Sequence, residues 1–267
     1  MAFLSSLYKA VFQRVRGKGF GLGIFNKAHR LVWEKWLQPK FVEINGLKLY
    51  LPGHDEGVSD SLRFEHSWEP EVTRAFGERI RPGMIVVDVG ANIGYHTLLA
   101  ARLAGPRGRV AAFEPDAANF ALLNRNIEVN RCSNVAAYPY AVGACLQYAQ
   151  LSICATSAGA HSTAISPISQ GANGQTRRVV MISLDEFLDP GLEPDVIKMD
   201  IEGGESAALQ GMKKLLEGEK LKTIFMECYS NILAKIGKKP EDVLGILRPH
   251  GFSFRRLDLV NYLCTRA

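Results

Sequence analysis

The sequence predicts an α/β fold: a mostly parallel sheet with helices on both faces and an antiparallel hairpin at its C-terminal end. Three observations predict it. From residue 84 onward, short apolar stretches alternate with longer stretches of helical periodicity, which calls for crossover connections and parallel strands. Ile85-Val86-Val87-Asp88-Val89-Gly90-Ala91-Asn92-Ile93-Gly94-Tyr95-His96-Thr97 reads as a buried strand, a tight glycine turn and a helix start, the layout of a nucleotide-binding βα unit. The stretches 252–257 and 261–265 are joined too closely for a crossover and must run antiparallel.

The elements follow in order. Residues 1–40 form an arm with apolar residues at helical spacing: Leu4, Leu7, Tyr8, Val11, Phe12 and Val15, then Phe25, Ala28, Leu31, Val32 and Trp36. Residues 41–80 read as an N-terminal hairpin and helix. Phe41–Ile44 and Leu47–Tyr50 flank Asn45-Gly46, a hairpin signal, and the whole of 41–67 reads as short strands. Trp68 to Ile80 reads as a helix stopped by Arg81-Pro82-Gly83. Residues 81–267 form the remaining domain. It opens with strand 84–89, helix 94–104, strand 109–113, helix 116–130 and strand 135–140. Strands at 146–153 and 176–183 then flank His161–Gly174, a stretch rich in Gly, Ser and Ala without periodicity, which reads as a lid, a binding loop or disorder. The sheet resumes at 195–199, followed by helix 204–216, strand 223–227, helices around 231–236 and 241–249, and the two closing strands.

Composition bounds the class. The chain has 267 residues, 47% hydrophobic and 22% charged, which suits a globular protein with one substantial core. Its five cysteines, Cys132, Cys145, Cys154, Cys228 and Cys264, form no C-x-x-C pair, which argues for reduced thiols and a cytoplasmic setting. No apolar run approaches the length that crosses a bilayer. The net charge of +5 is unevenly placed: residues 1–40 carry eight basic side chains and one acid, +7, and the remainder carries 24 and 26, −2. The basic, amphipathic arm is expected to pack on the main domain as a lid or dimer contact. Peripheral contact with an anionic membrane surface and a transit segment are the competing readings.

The glycine turn carries the chemistry. Gly90 lets the chain turn sharply, Gly94 lets the helix start close to the strand, and N–H groups at the helix start can face a polar ligand. The spacing Asp88-x-Gly90-x-Asn92-x-Gly94 is not the G-x-G-x-x-G of dinucleotide enzymes. It resembles the S-adenosylmethionine-binding motif of class I methyltransferases. Glu114 ends strand 109–113, 20 residues after Gly94, where a carboxylate can accept both ribose hydroxyls or cap the next helix.

A second cluster follows at Ile197-Lys198-Met199-Asp200-Ile201-Glu202-Gly203-Gly204-Glu205. Carboxyl ends of parallel strands are where open α/β sheets bind ligands, and alternation sets Lys198, Asp200 and Glu202 on a similar side until the chain turns. A helix start rich in acids explains Glu205, whereas charges deep in a strand need partners. Together with Val87–Gly94, Phe113-Glu114-Pro115, Leu123-Asn124 with Asn126 and Asn130, Ser183-Leu184-Asp185, Trp68-Glu69 and Asn261-Tyr262, this cluster closely resembles the FkbM family of methyltransferases over roughly residues 60–265. One difference is Gly204, where the family usually has Ala.

The resemblance implies a class I methyltransferase (Rossmann-like) fold with seven strands. It also implies an S-adenosylmethionine-dependent O-methyltransferase acting on hydroxyls of sugars, glycolipids or natural products. Asp88, Gly90, Ala91, Asn92 and Gly94 would shape the methionine end of the cofactor pocket, Glu114 with Pro115 the ribose end, and Lys198, Asp200 and Glu202 would face the reacting centre. An alcohol needs a base in the transition state. Asp200 or Glu202 is the expected base, and His161 in the expected lid is the competitor. A divalent cation held by Asp200 and Glu202 is a third possibility, although two carboxylates do not specify a metal. His96 reads as structural. Glu227 reads either as a substrate contact or as a plain strand-end acid. A nucleic-acid substrate is not expected, since the body is not basic and shows neither an (Asp/Asn)-Pro-Pro-aromatic site nor a Pro-Cys nucleophile. A catalytically inactive cofactor-binding scaffold is the alternative function, and a homo-oligomer is possible.

Overall fold

A computed structural model describes residues 40–52, 58–153, 165–166, 175–189 and 191–267. The arm at 1–39, with the contacts expected of it, and His161 lie outside the described residues. The described residues fall into two compact units, one ending at Trp68 and one beginning at Glu69.

In the smaller unit, β1 (Phe41–Ile44) and β2 (Leu47–Tyr50) pair antiparallel through Asn45 and Gly46, at φ 52° and 75°. Two consecutive left-handed residues are what a tight hairpin turn requires. The next element, α1 (Val58–Phe64), is a helix where the sequence suggested strands. It buries Ser59, Leu62 and Arg63. With so few apolar residues facing inward, helical periodicity is faint in the sequence. Arg63 replaces it with a hydrogen bond to the Pro52 carbonyl at 2.6 Å.

The larger unit opens with α2 (Pro70–Arg79), which has proline in its first turn. Val72, Ala75, Phe76 and Ile80 pack against Val86, Leu99 and Phe225, so this helix belongs to the larger unit and not with the hairpin. There follow β3 (Ile85–Val89), α3 (Tyr95–Ala104), β4 (Arg109–Phe113), α4 (Ala117–Val129), β5 (Val135–Tyr138), β6 (Ala141–Val142), β7 (Gln147–Ile153), β8 (Ile165–Ser166), β9 (Gln175–Ile182) and α5 (Leu184–Phe187). The chain ends with β10 (Val196–Met199), α6 (Glu205–Gln210), α7 (Lys213–Glu217), β11 (Thr223–Glu227), α8 (Ser230–Lys235), α9 (Pro240–Gly245), β12 (Ser253–Arg256) and β13 (Asn261–Thr265).

The main sheet has seven strands in the order β12-β13-β11-β10-β3-β4-β5. Neighbours from β11 to β5 are parallel, and β13 runs antiparallel to both β11 and β12. Strand alternation gives each face its own core. Val87, Val89, Ile197, Met199, Ile224 and Met226 pack under Leu209, Met212, Leu216 and Leu244. Val86, Val110, Val196, Phe225 and Leu263 pack under Phe76, Leu99 and Ala101.

A second sheet has the order β6-β9-β7-β8. Strands β7 and β9, which pair antiparallel, follow the sequence reading. Strand β8 does not, because its two residues lie inside the stretch expected to lack periodicity and are too few to register as a pattern. The expected helix at 204–216 is broken in two at Gly211-Met212. A Cβ on Gly211 would sit 2.0 Å from the Gly143 carbonyl oxygen, so close backbone packing fixes glycine there, and the glycine caps the first helix. Among the described residues no helix is long and apolar enough to cross a membrane.

Candidate active site

The glycine loop is built where β3 meets β10. The Asp200 N–H donates to the Val89 carbonyl at 3.0 Å, and Gly90, at φ 81°, lies so close that a Cβ there would sit 1.9 Å from the Asp200 carbonyl oxygen. The N–H groups of Gly90 and Ala91 both donate to the Phe113 carbonyl at 3.0 Å, and the Asn126 amide donates to the Ile93 carbonyl at 2.8 Å. Asn92 takes φ 51°, a left-handed conformation that Asn tolerates better than most residues. The loop is thereby fixed by β4 and α4.

Glu114 is part of that fixing. Its Oε2 accepts the Asn92 N–H and its Oε1 the Asp116 N–H, each at 2.8 Å. Of the two roles open in the sequence, capping of the following helix falls to Asp116, which accepts from the N–H groups of Ala118 and Asn119. Arg177 meets Asp116 at 3.1 Å. Each Glu114 oxygen keeps a second lone pair for a ligand hydroxyl. Burial pushes the Glu114 carboxyl up to about 7, against the pull of the two N–H groups.

Glu114→Gln is expected to cost about 1–3 kcal/mol in urea denaturation, since an amide nitrogen would face one of the N–H donors. A carboxyl raised in the fold favours folding when protonated. The wild-type contribution is therefore full below the ordinary value of 4.5 and fades as pH rises through about 7. The deficit of the variant should shrink over that interval.

The second cluster is assembled by strand register. Lys198 lies opposite Asp88 on β3 and Phe225 on β11, and Glu227 lies opposite Asn261. These residues extend the face carrying Val86, Val196, Phe225 and Leu263, so an apolar layer ends in a polar one at the carboxyl edge of the sheet. Lys198 Nζ is 3.1 Å from Asp200 Oδ2. Asp88 Oδ2 accepts the Thr97 hydroxyl at 2.5 Å, while buried Asp88 Oδ1 has no hydrogen-bond partner among the described residues.

Beside this pair, the Asn261 amide donates to Glu69 Oε1 at 2.9 Å, and Glu69 Oε2 stands 3.7 Å from His96 Nδ1. His96 Nε2 is buried without a hydrogen-bond partner among the described residues. Glu69 and Glu202 adopt φ 43° and 46°, a region unfavourable for a long side chain that tends to be retained at functional sites.

Burial would lower the Lys198 ammonium, but Asp200, Asp88, Glu69 and Glu227 together hold it above its ordinary value. Burial would raise Asp200; Lys198 instead keeps it ionised, below the usual carboxylate range. Burial and the neighbouring Asp200 push Glu227 in the opposite direction, to about 12. His96 is held well below its ordinary value by burial and by Lys198, so the ring is neutral. The Asp200 side chain is 25% exposed against 6% for Lys198, so the anion faces the open side of the pair.

Of the residues anticipated from sequence, Asp88, Lys198 and Asp200 come together on adjacent strand ends. Gly90, Ala91, Asn92, Gly94, Glu114 and Pro115 form the adjoining loop and its support. Glu202 lies past the strand, where the chain turns through Gly203 at φ 103°. Among the described residues, no group of three or more His, Cys, Asp or Glu is arranged to hold a metal ion. Sequence reasoning missed Glu69, His96 and Asn261 as members of the cluster and left Glu227 open. The available signal was the family likeness of Trp68-Glu69 and Asn261-Tyr262, two segments far apart in the chain that one hydrogen bond joins.

A seven-stranded sheet of this order, with a glycine turn after its central strand and acids at neighbouring strand ends, is the class I methyltransferase fold. The chain belongs to the FkbM methyltransferase family: the family model, described as the methyltransferase FkbM domain, matches residues 88–254. It is 28% identical over 188 residues to the hexuronic acid methyltransferase AglP of Haloferax volcanii, covering 67% of each chain. Among solved structures it is similar to methyltransferase FkbM from Methylobacillus flagellatus KT, at 19% identity and TM-score 0.45 over 77% of this chain. It spans about half, 52%, of that longer chain. A SAM-dependent methyltransferase from Aquifex aeolicus is similar at 18% identity and TM-score 0.44, over 77% of this chain and 94% of that one.

Proposed function

We propose that this methyltransferase uses S-adenosylmethionine to methylate a hydroxyl oxygen, with a saccharide as the favoured acceptor and a glycolipid or other natural product as the wider class. The observation that carries this reading is the Lys198–Asp200 pair, at 3.1 Å, on the strand next to the glycine loop. The loop fits the methyl donor. Asp88 Oδ1 is a buried acceptor without a partner among the described residues, suited to an N–H or ammonium donor, and Glu114 keeps lone pairs for ribose hydroxyls. Asp88, Gly90, Ala91, Asn92 and Gly94 would hold the methionine end, Glu114 and Pro115 the ribose, with Asp200 close to the transferring group. When bound, S-adenosylmethionine supplies an electrophilic methyl group on a sulfonium.

Asp200 accepts the hydrogen bond of the acceptor hydroxyl and then its proton. An alcohol oxygen becomes strongly acidic as it is alkylated, so a carboxylate of low basicity suffices late in the transfer. Lys198 keeps Asp200 ionised and fixes its orientation. Glu202 and His161 remain the competing bases. The saccharide acceptor draws its support from the hexuronic acid methyltransferase relative.

The test is release of S-adenosylhomocysteine from the purified full chain with uronic-acid-containing and neutral saccharides, with mass analysis of the product. Asp200→Asn is expected to lower kcat by at least about a hundredfold, the scale of a lost general base, with cofactor affinity within a few-fold. Undiminished turnover in that variant would remove Asp200 as the base.

A further inference from the structure

The site contains a carboxyl group that the proposed reaction leaves unused. Glu227, 5% exposed, ends β11 level with Asp200, because the preceding Met226 and Met199 are register partners on parallel strands. Strand alternation therefore sets the two side chains side by side on one face of the sheet, where each carboxyl acts on the other. Two ionised carboxylates are acceptors only and repel at such a position, which favours one of the pair being protonated.

Lys198 decides which partner keeps that proton. Its Nζ stands 3.1 Å from Asp200 Oδ2 and stabilises Asp200 as the anion. The titratable and charged groups facing Glu227 are Lys198 on β10 and Asp200 just past it, Glu69 ahead of α2, and Cys228 and Tyr229 after β11. Four carboxyl groups, Glu69, Asp88, Asp200 and Glu227, act on the Lys198 ammonium. One ammonium balances one of them, and a buried carboxyl without a counter-charge is far more stable neutral.

We propose that Glu227 is a positioning residue that retains its own proton and donates it in a hydrogen bond to Asp200, fixing the anion that meets the acceptor hydroxyl. Its purpose, though not its geometry, rests on the methyl-transfer reading above. With Lys198 and Glu227 each donating to Asp200, the carboxylate still has lone pairs for the acceptor O–H. Glu227 adds orientation without adding charge.

The first test needs neither cofactor nor acceptor. In the full chain labelled with ¹³C at the Glu and Asp carboxyl carbons, the Glu227 resonance is identified by its absence from Glu227→Gln. It is expected to hold its protonated position from about pH 5 to about pH 9, well past the ordinary carboxyl range. A resonance titrating near the ordinary value of 4.5 would overturn the proposal. A chain that passes this test yet fails to bind S-adenosylmethionine would sink the methyl-transfer reading alone. The second test compares variants with an acceptor in hand. Glu227→Gln keeps an N–H donor and Glu227→Ala does not, so kcat of the former should exceed that of the latter by about tenfold or more. The acidic limb of the kcat profile should move to higher pH in Glu227→Ala, because Asp200 loses a donor to its ionised form. Equal kcat and superimposable profiles in the two variants would contradict a hydrogen-bonding role.

Discussion

Lys198→Ala is expected to destabilise the protein by about 3–5 kcal/mol at neutral pH, the scale of stranding buried charge. Lys198 is nearly buried, and Glu69, Asp88, Asp200 and Glu227 all act on it. The loss should depend on pH with a definite sign. Lys198 is raised in the fold, so its contribution is full below its ordinary value of 10.5. Asp200 is depressed, so its contribution is present above its ordinary value of 3.8 and lost as pH falls through the folded one. The difference between wild type and variant should form a plateau between those limits and narrow under acid as the stranded carboxyls take up protons. Guanidinium denaturation at pH 7.5, on the plateau, and at about pH 3, below it, measures this. A loss below about 1 kcal/mol at pH 7.5 would mean that the cluster is solvated and the ion pair of surface type.

Gly90→Ala is the second large effect. The added Cβ would lie 1.9 Å from the Asp200 carbonyl oxygen, and the backbone on both sides is held, the Asp200 N–H by the Val89 carbonyl and the Gly90 N–H by the Phe113 carbonyl. The φ of 81° adds a steric cost for any side chain. Overpacking and strain together are expected to cost about 3 kcal/mol and to part the loop from the end of β10. Gly83→Ala is the control, because Gly83 is also left-handed, at φ 90°, but has nothing within 4 Å of its Cβ position. It should cost only about 1 kcal/mol.

The frame of the site was legible in the sequence because its signals are local. Asp88, Gly90, Asn92 and Gly94 fall within one strand-turn-helix, where spacing alone prescribes the backbone. Lys198 and Asp200 stood out because strand interiors rarely carry charge without a partner. The partners themselves were not local. Glu69 reaches the cluster only because α2 packs on the sheet, and Asn261 only because β13 inserts between β11 and β12. His96 sits in the first turn of an apolar helix, where a structural role is the simpler reading of the sequence. The helix at Val58–Phe64 was read as strand because it shows almost no apolar periodicity. The break at Gly211 depends on the Gly143 carbonyl across the fold, which no window of sequence around Gly211 contains.

The most direct test of the central claim is a calorimetric titration of the full chain with S-adenosylmethionine, run beside Gly90→Ala and Gly83→Ala. The glycine loop as cofactor site predicts micromolar binding to wild type, retained in Gly83→Ala and weakened at least about tenfold in Gly90→Ala, or roughly 1.4 kcal/mol. Absence of binding to wild-type protein shown to be folded, or equal affinity in folded Gly90→Ala, would contradict it.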